Sequence, residues 1–110
     1  MPQAELPSDL RVAESKVVDY LLNPVKSRGK AGFLLRLGCR PEEWQVLAEA
    51  FREQARGNPV VNTVVSPYGM RYSVDGLLQT PDPREALPAI RTVWIQEDDS
   101  RARLIAAHPI

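Results

Sequence analysis

The hydrophobic period of this chain changes at Gly57-Asn58-Pro59, and that change limits what it can fold into. Before the break, Trp44, Leu47, Ala48, Phe51 and Ala55 recur at the three- and four-residue steps of one helical face. After it, "VVNTVV" is a β-branched run that reads as a strand. "MRYSVDGLL" then alternates, with Met70, Tyr72 and Val74 on one face and Arg71, Ser73 and Asp75 on the other. Helices followed by a run of strands make an α+β chain.

The rest of the chain fits that division. "AESKVVDYLL" predicts a first helix over residues 13–22, with Val17, Val18, Leu21 and Leu22 as its apolar stripe. Asn23-Pro24 ends it, because proline disfavours the α conformation in the residue before it. A second helix is expected over about residues 30–37, with Phe33, Leu34 and Leu37 on one face and Gly38 as its stop. Pro41 opens the third, Glu42 and Glu43 suit its positive end, and Arg52 and Arg56 suit its negative end. "SPYG" is a turn with Gly69 able to take positive φ. Residues 79–88, with three prolines, are a loop; "AIRTVWIQ" and "ARLIAAH" are strands joined by the acidic turn "EDDS". The expected architecture is three N-terminal helices packed on one face of a four-stranded antiparallel β-meander, with the other face open. Residues 1–12 read as an arm and 13–110 as one domain.

A chain of 110 residues is large enough for one core without disulfides or metals. Fourteen basic and fourteen acidic residues cancel, which argues against non-specific coating of nucleic acid. No apolar run approaches the roughly 20 residues of a membrane span, and the first residues lack the order of a signal peptide. The expectation is a cytoplasmic protein with no membrane partner. The single cysteine, Cys39, forms no internal disulfide and reads as a small buried thiol. The sequence lacks a phosphate loop, a dinucleotide fingerprint, a two-histidine metal motif and a nucleophile elbow. Glu97, Asp98 and Asp99 read as a solvated turn. Neither a metal nor another cofactor is expected.

Basic and hydroxyl groups remain. Lys26, Arg28 and Lys30 crowd the joint before the second helix, whose N-terminal N–H groups already favour an anion. Positive charge there costs the helix a few tenths of a kcal/mol, roughly, so the joint is a candidate phosphate site. Arg71 projects from the open face, and Tyr68 can stack on a base. A tight "EDDS" turn brings His108 close to residues 90–92, beside Arg91 and Thr92. An imidazole, a guanidinium and a hydroxyl are sufficient parts for metal-independent RNA cleavage. Tyr72 and Trp94 are read as packing residues.

"KVVDYLLNP", "GKAGFLLRLG", "PEEW", "SPYGMRY", "RTVW" and "LIAAHP", in that order, resemble a family of small bacterial proteins catalogued as a domain of unknown function. The resemblance spans about residues 14–109. Members tend to be encoded beside a very small partner protein, which implies a toxin–antitoxin or effector–immunity pair. The order of elements also resembles the ribonuclease-like toxins that include barnase and RelE-type proteins. The resemblance matches Lys30, Tyr68, Gly69, Thr92 and Trp94; Lys26-Ser27 stands where members often have His-Pro, and His108 where they usually have an aromatic residue. Two functions follow as expectations. One is a ribonuclease-like toxin with His108, Arg91 and Thr92 as catalytic residues and Lys26, Arg28, Lys30, Arg71 and Tyr68 holding RNA. The other is a non-catalytic module that holds a small antitoxin- or immunity-like protein. The oligomeric state is left open.

Overall fold

The computed structural model describes residues 6–23, 34–35, 38–81 and 87–110. The architecture differs from the sequence expectation in two respects. Among the described residues the sheet has five strands and is mixed, and a single regular helix, with its 3₁₀ lead-in at Pro41–Glu43, stands where three were expected.

The fifth strand comes from the N-terminal arm. β1 (Asp9–Arg11) pairs in parallel with the last strand, in register Asp9↔Arg101, Leu10↔Ala102 and Arg11↔Arg103. Three residues are too few to display a two-residue period, so this strand was hidden in the sequence. Its alternation is nonetheless complete: Leu10 is buried while Asp9 and Arg11 face outward.

The expected first helix is one α turn, α1 (Glu14–Lys16), running into a π-helical turn over Val17–Leu21. The Leu22 amide reaches the Val17 carbonyl at 2.8 Å, the five-residue step of a π turn. This wider turn carries Val17, Leu21 and Leu22 into the core, so the apolar stripe is kept although the regular helix is not. The expected second helix lies largely outside the described residues. Leu34 within it is buried.

α2 (Trp44–Arg56) follows a 3₁₀ turn at Pro41–Glu43. It buries Leu47, Ala48, Ala50, Phe51 and Ala55 against the sheet, with Trp44 partly buried at its start. Full burial of Phe51 and its neighbours is worth about 1.5–3 kcal/mol for each large side chain.

The remaining strands are β2 (Val60–Ser66), β3 (Gly69–Leu77), β4 (Ala89–Asp98) and β5 (Arg101–Pro109). They form an antiparallel meander, and β1 adds to its far side to give the order β1-β5-β4-β3-β2. Gly69 has φ 129°, and a Cβ there would stand 2.7 Å from the Gln96 carbonyl oxygen, so the β2–β3 turn requires glycine. Leu10, Val74, Ile90, Trp94, Ala102, Leu104 and Ala107 carry the sheet's side of the core.

One buried polar group is shared by helix and sheet. Gln54 on α2 donates through Nε2 to the carbonyls of Val74 and Ile90, both at 3.0 Å. Its Oε1 accepts the Thr92 hydroxyl at 2.8 Å, and Thr92 Oγ1 accepts the Trp94 indole N–H at 2.9 Å. Gln54, Thr92 and Trp94 therefore fix the angle of α2 on β3 and β4 through a satisfied network. Among the described residues, no helix is long and apolar enough to cross a membrane.

Candidate functional site

The register of the meander decides which sequence candidates meet. Arg91 lies between Asp75 on β3 and His108 on β5, so the three form one row across the sheet. The proximity of His108 to Arg91 follows the pairing expected from the short "EDDS" turn. Arg91 is bidentate to Asp75, with Nε to Oδ1 at 2.6 Å and Nη2 to Oδ2 at 2.8 Å. The Arg91 hydrogen bonds hold the Asp75 carboxyl below its ordinary pKa, with His108 contributing a smaller charge effect. Asp75 in turn raises Arg91. The guanidinium fork is thus already engaged by a carboxylate. His108 is half-buried, and its Nδ1 stands 3.1 Å from the Pro109 carbonyl oxygen.

Thr92 is not part of that row. Successive strand residues point to opposite faces, so Thr92 faces α2, where it is fully buried and bonded to Gln54 and Trp94. Arg71 shares the open face with Arg91, four residues from Asp75 along β3, which is about 13 Å. Tyr68 sits in the β2–β3 turn and is 81% exposed. Lys26, Arg28 and Lys30 lie outside the described residues. The structure therefore brings Arg91 and His108 together and separates Thr92 from them by the thickness of the sheet.

Cys39 is buried, and that burial pushes its thiol up to about 11, which removes the thiolate at neutral pH. Among the described residues, no group of three His, Cys, Asp or Glu side chains is arranged to hold a metal ion.

Two further surfaces were not legible as sites. The first is β2, whose seven residues, "VVNTVVS", form one edge of the sheet. They include no charged residue and no proline. Val61, Val64 and Val65 are exposed, Val65 at 79%, and Tyr68 stands beside them. The single irregularity is a register shift between Val60 and Asn62. The second is the opposite side of the sheet, where Asp9, Arg11, Arg101 and Arg103 share the open face. There Asp9 accepts from Arg11 at 2.9 and 3.0 Å and lies 3.5 Å from Arg101. The lack of charge in β2 was visible in the sequence, but its position at an edge was not.

Comparison with known families adds one finding. The family model described as "Domain of unknown function (DUF6883)" matches residues 4–110. The chain belongs to that family. The match covers nearly its whole length, the N-terminal strand included. No curated protein and no solved structure matches it.

Proposed function

We propose that this member of the family is a non-catalytic binding module that takes an extended segment of a small partner protein onto the β2 edge. The observation that carries this reading is the chemistry of that edge. An edge strand presents a row of unpaired backbone N–H and C=O groups, and soluble proteins usually blunt it with lysine, proline or short length. β2 has seven residues, no charge and exposed valines. Strand addition uses these features: main-chain hydrogen bonds supply affinity and alternating side chains supply selectivity. The occupant we assign is the very small protein that the family resemblance implies is encoded beside this chain.

The ribonuclease reading ranks second. Arg91 and His108 are adjacent in register, but Arg91 is held by Asp75 and the Thr92 hydroxyl is committed inside the core.

The test is titration of the full chain with the neighbouring gene product. The V61K/V65K variant should lose the complex by at least about tenfold, since charge on an edge opposes pairing. Arg91→Ala and His108→Ala should retain it, and RNA incubated with the wild type should stay intact. An undiminished complex in V61K/V65K would overturn the reading, as would RNA cleavage abolished by His108→Ala.

A further inference from the structure

The opposite side of the sheet carries a separate feature. A cleft of about 810 Å³ opens beside the junction of β1 and α1, where β5 runs past the end of β1. Five cations line it: Arg11, Lys16, Arg52, Arg101 and Arg103. Two carboxylates, Asp19 and Glu97, line it with them. Two more carboxylates, Asp9 and Glu49, reach Arg11, Arg101 and Arg52 from outside the lining, so among the described residues this corner carries five cations against four carboxylates.

The arrangement works against the sheet itself. Arg11 lies directly across from Arg103 in the β1–β5 register, and like charges opposed on neighbouring strands are destabilising. One carboxylate, Asp9, is shared between Arg11 and Arg101. Arg103 stands 3.9 Å from Glu97, an ion pair too long for a hydrogen bond. Arg52 approaches from α2 and is held by the Leu10 carbonyl at 2.8 Å and by Glu49. Among the described residues, Asp9 engages the Arg11 fork, whereas the Arg101–Asp9 contact is 3.5 Å and the Arg103–Glu97 contact 3.9 Å, so Arg101 and Arg103 are the less firmly held guanidiniums lining the cleft. Guanidinium forks match the geometry of phosphate oxygens. The volume lies in the range of roughly 300–1,000 Å³ typical of small-molecule sites. The Ser15 hydroxyl adds a neutral donor on the α1 side.

We infer that this cleft binds a phosphate-bearing small molecule of about nucleotide size. Arg101 and Arg103 grip the phosphate oxygens, and Arg11, itself held by Asp9, adds positive charge at longer range. The inference is independent of strand addition at β2, because the two surfaces are on opposite sides of the sheet.

Calorimetric titration of the full chain at low salt tests it, with inorganic pyrophosphate and ADP as probes. Saturable binding of either is expected, and the R101Q/R103Q variant should weaken it by about tenfold or more, as charge-assisted forks are lost. Tighter binding of ADP assigns the rest of the cleft to a nucleoside; equal affinities assign the site to the phosphate groups alone. Arg71→Gln, on the same open face but outside the cleft, should leave binding unchanged. Thermal melts matching the wild type establish that the variants fold. Absence of saturable binding up to millimolar probe would overturn the inference. So would a loss in Arg71→Gln as large as that in R101Q/R103Q, which would reduce the effect to net charge.

Discussion

β1 and β2 close the two sides of one sheet with opposite chemistry. β1 is three residues long, and two of them are charged. Its middle residue, Leu10, is buried at 3% exposure, and its carbonyl accepts from Arg52. β2 is seven residues long and uncharged, with five consecutive exposed residues. One edge is short, anchored in the core and crowded with charge, all features that discourage another strand. The other is long and uncharged, and among the described residues its pairing is interrupted only by the register shift between Val60 and Asn62. A fold that guards one edge and leaves the other competent to pair has a direction in which it can be extended.

The largest test of this contrast is mechanical. Leu10→Ala should cost about 2–5 kcal/mol in chemical denaturation, because it opens a cavity under β1 that the sheet cannot close. Val65→Ala on β2 should change stability by no more than about 0.5 kcal/mol, since that side chain is already in water. Equal costs at the two positions would erase the distinction between an anchored and an unanchored edge.

Hydrogen exchange sharpens the same contrast at smaller scale. Amides that join β3 to β4 should be among the slowest in the protein, being central in the sheet. The outward-facing amides of β2 should exchange fast in the isolated chain and slow on addition of the strand-donating partner. Protection of those amides without a partner would mean that the edge is already occupied, by a second copy or by the chain itself.

The smallest expected effect is electrostatic. The hydrogen bond from Arg11 holds the Asp9 carboxyl below its ordinary value of 3.8, with Arg101 adding to the effect. A depressed folded pKa stabilises the protein above the unfolded value, and that stabilisation is lost as pH falls through the folded one. Carboxyl titration by NMR should find Asp9 below 3.8, and Asp9→Asn should flatten the acid limb of the stability curve slightly. The Asp9 side chain is 40% exposed, so screening keeps the effect small and salt should diminish it. An unshifted Asp9 would mean that Arg11 and Arg101 are free of it, and the anionic counterweight at this corner would disappear.

Much of the secondary structure was legible because it is written in local periods. The stripe through Leu47, Phe51 and Ala55 gave α2, and the alternation of Tyr72 and Val74 with Arg71 and Asp75 gave both faces of β3. The proximity of His108 to Arg91 followed from one short turn. Thr92 was harder to read. The sequence reading set it beside Arg91 and His108 as a catalytic hydroxyl, but strand alternation turns it away from solvent-facing Arg91 to the buried face, where it bonds to Gln54, 38 residues earlier. β1 was too short to carry a period. The π turn preserved a helical stripe while abandoning regular helix.

The sequence by itself determined where helix gives way to strand, which strand residues share a face, and that Gly69 must turn the chain. Only the tertiary structure decided that the first three-residue strand joins the last in parallel, that the valine-rich strand lies at an edge, and that Arg11 and Arg103 stand side by side. The physical reason is range. Periodicity records how neighbouring residues partition between core and water, whereas sheet order is set by pairings between segments as far apart as Asp9 and Arg101.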